Sequence, residues 1–330
     1  MTTSSDSAAY ARRAMAAAPR PIVVGVDGSP ASWQAIHTAV WEARARRTTL
    51  VLAHGYPADP YTWYGWAPMY AGPAYDPRAL AQTMVDETAN EVRDTYPDVT
   101  VTTELHPGTG ASALIEASQD ATMVVVGSRG RGGFAGLSIG SVAAQTAVHA
   151  ACPVLVIRPP LEGDTDPLTD TSDRAAVTPG PVVVGVDGSS TSTDAVEFAF
   201  EEASLRQVPL VAMHVWWQLP THELGPDLPT HMDLPAAIEE DKRLLASMLG
   251  DWPAKFPDVP VELRPVQSMN PSKELIEASR DAGLVVVGSR GRGGFKGLLL
   301  GSVGRDLVGH AYCPVAVVHP HTVTRTREPT

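Results

Sequence analysis

The sequence predicts an α/β protein made of two tandem, doubly wound domains, each on a five-stranded parallel sheet. Three observations predict it. The chain repeats itself: PIVVGVDGS at 21–29 returns as PVVVGVDGS at 181–189, and LIEAS at 114–118 returns at 275–279. Residues 124–142 return as 285–303 with 16 of 19 positions identical. A period near 160 is too long for a solenoid and marks a duplicated domain. Within each copy, short apolar β-branched runs alternate with longer helical stretches, the signature of βαβ units. The runs are apolar throughout rather than alternating, as in a sheet covered on both faces.

The boundaries follow. Residues 1–20 are rich in Ala, Ser and Thr and lack the apolar stretch of a secretory signal, so they read as an extension. The first domain covers 21–159 and the second 181–320. Residues 160–180 carry Pro, Asp and Thr with little apolar content and read as a linker. Residues 321–330 form a tail.

In the first copy, 22–26 is a buried strand. Ser29 suits an N-cap and Pro30 the first turn of a helix running to about 46, with Ala35, Ala39 and Ala43 spaced for packing. The second strand is 50–54. An aromatic insertion at 61–75 contains Trp63 and Trp66. A long helix at 78–96, a third strand at 99–105, a short helix at 111–118 and a fourth strand at 123–127 come next. A glycine-rich loop leads into a helix at 141–150, and 154–158 is the fifth strand, matched by 315–319.

The chain of 330 residues is 44% hydrophobic and 19% charged, with a net charge of -12. That charge argues against nucleic acid or an anionic membrane as partner, since both need a basic footprint. It leaves anion binding open, because backbone N–H groups hold phosphate without side-chain charge. No apolar run is long enough to span a membrane. The two cysteines, Cys152 and Cys313, occupy matching places before a proline, which reads as a small buried residue and a reducing, cytoplasmic setting.

The loop carries the chemistry. It reads GSRGRGGFAGLSIGS at 127–141 and GSRGRGGFKGLLLGS at 288–302. Glycine lets backbone N–H groups approach an anion, and the helix opening at Gly140-Ser141 offers unbonded N–H groups and a favourable dipole. Arg129 and Arg131 can add charge. The loop is not a P-loop, because no lysine follows its last glycine. A GxGxxA match at 130–135 is no dinucleotide fingerprint, because it follows the fourth strand and Lys296 replaces its last position. Asp27 and Asp187 end the first strands. Each can accept hydrogen bonds from a ribose or adenine edge, or satisfy the N-terminus of the next helix. His54 and His214 read as partly buried polar groups, and His149 and His310 as cations at helix C-termini.

At these residues the chain resembles the universal stress protein family in its tandem form. Gly127, Gly130, Gly140 and Ser141 fit the family's G-x2-G-x9-G-[ST] motif, as do Gly288, Gly291, Gly301 and Ser302. The resemblance implies an adenine nucleotide alpha hydrolase-like fold that binds ATP with Mg²⁺, one site per domain, and acts through nucleotide-dependent conformation or partner binding in stress response, growth or dormancy. It implies adenosine contacts from Gly25, Val26 and Asp27 and from Gly185, Val186 and Asp187. Gly55 and Val215, placed just after the second strands, would line the adenine pocket with Val126 and Val287. The cradle would be Gly127, Ser128, Arg129, Gly130, Arg131, Gly132, Gly133, Gly140, Ser141 and Val142. In the second copy it would be Gly288, Ser289, Arg290, Gly291, Arg292, Gly293, Gly294, Gly301, Ser302 and Val303. The fifth strands are the implied dimerisation edge; in a tandem chain they can pair with each other, and tandem chains can form a homodimer. Gly55 departs from the branched apolar residue usual there. Two other readings stand beside this one: a weak ATPase or nucleotidyl- or phosphotransferase, and an interaction protein with one vestigial site. No protein signalling partner is legible.

Overall fold

The computed structural model describes residues 20–57, 76–130, 139–158, 177–217, 234–291 and 300–320. The first copy contains β1 (Ile22–Gly25), α1 (Pro30–Arg46), β2 (Leu50–Tyr56), α2 (Pro77–Thr95), β3 (Val101–Pro107), α3 (Gly110–Ala117), β4 (Met123–Gly127), α4 (Ser141–His149) and β5 (Val154–Ile157). The second contains β6 (Val182–Gly185), α5 (Ser190–Arg206), β7 (Leu210–Trp216), α6 (Leu234–Leu249), α7 (Trp252–Lys255), β8 (Val261–Gln267), α8 (Pro271–Ala278), β9 (Leu284–Gly288), α9 (Ser302–His310) and β10 (Val315–Val318). The aromatic insertion at 61–75, residues 1–19 and 321–330, and nearly all of the linker lie outside the described residues.

The local signals behave as read. Ser29 is extended (φ -81°, ψ 159°) and its side chain accepts the N–H of Ser32, so α1 starts at Pro30. Ala35, Ala39 and Ala43 are buried against the sheet.

Each copy lays its strands down in the order 3-2-1-4-5, and the copies join into one ten-stranded sheet, β3-β2-β1-β4-β5-β10-β9-β6-β7-β8. Neighbours within a copy are parallel. The joint is antiparallel: Val315 lies opposite Val156 and Val317 opposite Val154. Each copy thus supplies the five parallel strands read from sequence, and the pairing of fifth strands implied by the resemblance is the seam that joins them. Strand order reverses between β1 and β4, which opens a crevice at their carboxyl ends. The matching crevice of the second copy lies between β6 and β9.

The sheet is covered on both faces. Ile22, Val24, Leu52 and Leu155 pack under α1 and α2, while Val23, Val124 and Val126 meet Leu114 of α3 and Ala143 and Ala147 of α4. Both clusters run through the seam, because β5 and β10 send alternate residues into each. At about 1.5–3 kcal/mol for each large aliphatic side chain buried, this shared core is a main source of the docking energy.

Two strand readings need correction. The outer strands β3 and β8 are not apolar throughout: Thr102 and Glu104, like Glu262 and Gln267, face water. Among the described residues each pairs with one neighbouring strand and forms an edge of the sheet. β2 runs two residues beyond 54, carried on by its pairing with β3 as far as Tyr56 opposite Pro107.

Where α1 meets α5 across the seam, Glu42, Arg46, Glu202 and Arg206 form a buried ionic square. Both glutamates are fully buried, and Arg206 donates to each at 2.8 Å. Arg46 bonds the same two carboxylates, and Arg206 also stacks over Trp41. Burial pushes the Glu42 carboxyl up to about 7, with the Glu202 charge adding to it.

Candidate functional site

The crevice is built from the ends of two strands. After β1, the Asp27 carboxylate accepts the N–H of Ser29 through Oδ1 at 2.9 Å, while its own N–H donates to Ser32 Oγ at 3.2 Å. Asp187 accepts the N–H of Ser189 at 3.0 Å. One oxygen of each carboxylate thus shapes the turn into the next helix, so the structural reading of these residues holds for Oδ1. The other oxygen meets the loop. A Cβ added at Gly130 would lie 2.4 Å from Asp27 Oδ2, and at Gly291 2.6 Å from Asp187 Oδ2. Glycine at these positions lets the loop backbone lie directly on the aspartate.

The loop is tied at both ends. Ser128 donates its N–H to Ile157 O and accepts that of Gly140, each at 2.7 Å. Ser289 does the same with Val318 and Gly301, at 2.7 and 2.8 Å. Both serine side chains are buried, and Ser128 Oγ has no hydrogen-bond partner among the described residues. Arg129 and Arg290 are exposed. Arg131, Gly132, Gly133, Arg292, Gly293 and Gly294 lie outside the described residues.

The loop delivers the chain to α4 and α9 without side-chain caps. Gly140 and Gly301 occupy the N-cap in extended conformation, and among the described residues no side-chain cap hydrogen bond is made. By contrast, Ser29, Asp76, Thr109, Ser189 and Asn270 cap their helices. Orphan N–H groups at a helix start are satisfied by caps, water or a ligand, and a dipole-favoured anion suits them.

In the second copy these parts enclose a cavity of about 440 Å³. Of the residues read from sequence, Gly185, Val186, Asp187, Val215, Val287, Gly288, Arg290, Gly291, Gly301, Ser302 and Val303 line it. Met213, Pro271, Leu275, Ser192 and Gly304 line it too and were missed. Leu275 carried a signal, since it opens the repeated LIEAS segment. Met213 also carried one, being two residues before Val215 on the same strand face. The equivalent first-copy residues, Gly25, Val26, Asp27, Val126, Gly127, Gly130, Gly140, Ser141 and Val142, occupy corresponding places in β1, β4 and α4 and in the turns beside them.

Gly55 and Val215 lie inside their strands rather than after them. A Cβ at Gly55 would stand 2.4 Å from Thr109 O and 2.7 Å from Gly110 N. The backbone that opens α3 therefore fills the place a side chain would take. His54 and His214 face away from these residues, as strand alternation requires. His54 Nδ1 lies 2.6 Å from Val26 O, and His214 Nδ1 lies 2.8 Å from Asp241 Oδ1. His149 and His310 end α4 and α9. Cys152 and Cys313 are buried, which pushes both thiols up to about 12 and leaves them unreactive. No helix among the described residues is long and apolar enough to cross a membrane.

Comparison with known proteins finds the Universal stress protein family model matching residues 19–158 and again 180–319. A universal stress protein of Mycobacterium tuberculosis (strain H37Rv) is 36% identical over 299 residues, covering 90% of this chain and 95% of its own. The solved structure of a universal stress protein from Archaeoglobus fulgidus superposes with a TM-score of 0.58 at 16% identity, covering 91% of this chain and 96% of that one. A further universal stress protein, solved in complex with cAMP, is 26% identical and covers 43% of this chain and 97% of its own, with a TM-score of 0.32.

Proposed function

The chain belongs to the universal stress protein family, and from that premise we propose that each of its two domains binds ATP and reports occupancy through conformation or partner binding. The carrying observation is a cradle built twice, an uncapped helix start with a glycine backbone resting on an aspartate, and in the second copy an apolar wall beside it. Phosphates fit the N–H groups of α4 and α9, where backbone rather than net charge supplies the attraction. Adenine fits the apolar wall formed by Val215, Met213 and Val287. Asp187 and Asp27, at the ends of the first strands beside the loop, are assigned to the ribose in this reading. Mg²⁺ belongs to this reading as the counter-ion of the triphosphate.

Equilibrium dialysis of the full chain against labelled ATP tests it. Two sites per chain are expected, and absence of binding overturns the proposal.

A further inference from the structure

The repeated LIEAS segment leads from the cradles to the seam. Its serine takes an N–H that a longer helix would have used: Ala151 N–H donates to Ser118 Oγ at 2.8 Å, and Tyr312 N–H to Ser279 Oγ at 2.9 Å. In a continuing helix these N–H groups would bond the carbonyls of Ala147 and Val308, four residues earlier. Both carbonyls lie in the last turn of a cradle helix and are left needing a donor. In each case the donor comes from the other domain. Arg158, following β5, donates to Val308 O of α9 at 2.8 Å. His319, following β10, places Nε2 3.1 Å from Ala147 O of α4 and Nδ1 3.1 Å from Cys152 O; the neutral ring clasps Ala147 in the tautomer that carries its proton on Nε2, and the protonated ring donates to both. Arg158 and His319 are equivalent residues, and so are Ala147 and Val308, at the repeat offset of 161. The two clasps form a reciprocal pair across the seam. Each cradle helix is thus bound at its N-terminal end by its own loop and at its C-terminal end by its neighbour, where a donor or cation also suits the dipole.

We propose that Arg158 and His319 are positioning residues acting in trans: each fixes the cradle helix of the opposite domain, so residue 319 tunes the first nucleotide site and residue 158 the second. This rests on the proposed function. Hydrogen exchange on the full chain, titrated with ATP, reads the two sites separately through peptides spanning 139–150 and 300–311. His319→Ala should shift the ATP midpoint of the first peptide by about fivefold, the worth of one hydrogen bond, and move the second less. Arg158→Ala should reverse the pattern. His319→Arg, the residue the first copy uses, should restore the first site. Ligand-free exchange in the last turn of α4 should rise in His319→Ala. An effect in the residue's own domain, or an equal effect on both sites, overturns the proposal with ATP binding intact. No ATP protection in the unsubstituted chain overturns the proposed function and takes the coupling with it.

Discussion

In the proposed reading the crevice has a phosphate end and a base end, and the two copies match more closely at the first than at the second. At the phosphate end, the tied loop, the aspartate contact and the uncapped helix repeat almost atom for atom: the two Cβ clashes differ by 0.2 Å (2.6 minus 2.4). At the base end, Val215 faces a cavity bordered by Pro271, whereas Gly55 is covered by the Thr109 and Gly110 backbone. Backbone N–H groups have one workable geometry around a phosphate, so little can vary there. An apolar wall can be made of a side chain or of a neighbouring turn, so the base end is free to drift.

The largest effect should come from what the copies share. Glu202→Ala leaves two buried guanidiniums with one carboxylate and should cost about 3–5 kcal/mol of stability, as should Glu42→Ala. Urea denaturation measures both, and a wide gap between them would break the symmetry of the ionic square. Next, Gly291→Val should weaken ATP at the second site by about ten- to a hundredfold, because its Cβ meets Asp187 and overpacking costs about 1–3 kcal/mol. Gly130→Val should do the same at the first site; calorimetric stoichiometry falling from two to one is the readout.

The base ends should respond unequally. Gly55→Val should destabilise the first domain by about 1–3 kcal/mol, because rigid backbone stands in the way. Val215→Gly should cost about 1–2 kcal/mol, because Val215 packs partly buried against the core and glycine weakens a strand interior, and should weaken nucleotide at the second site by about tenfold, the worth of one valine contact. Equal behaviour of the two would show that the walls are interchangeable after all.

The smallest effect is one of pH. Burial holds His319 below its ordinary value of 6.5, outweighing the carbonyls of Cys152, Ala147 and Val148, with Arg290 acting in the same direction as burial. Its folded pKa is depressed, so the unfolded chain takes up the proton more readily. The contribution is present above 6.5 and is lost as pH falls through the folded pKa. His319→Arg should remove this part of the acid dependence of the melting temperature and leave the Arg158 clasp unchanged.

Much of the fold was legible. Duplication, element order and the start of α1 at Ser29-Pro30 follow from local pattern. Strand ends did not: β2 extends to Tyr56 because β3 pairs with it, and β3 is half-polar because it is an edge. In the site, Asp27, Gly130 and Gly140 were readable from glycine spacing and strand position. Pro271 was not, because it comes from a different βα unit and becomes a wall only when α8 packs beside β7.

The sequence by itself determined that there are two α/β copies, each with a glycine loop after its fourth strand, since repeats and periodicity are local properties of the chain. Only the tertiary structure decided that Gly55 is filled by the Thr109 turn, that four charges close a square across the seam, and that Arg158 and His319 serve each other's helices. The contacts that cross the seam join residues 150 to 172 positions apart, and nothing short of the docked sheet brings their atoms together.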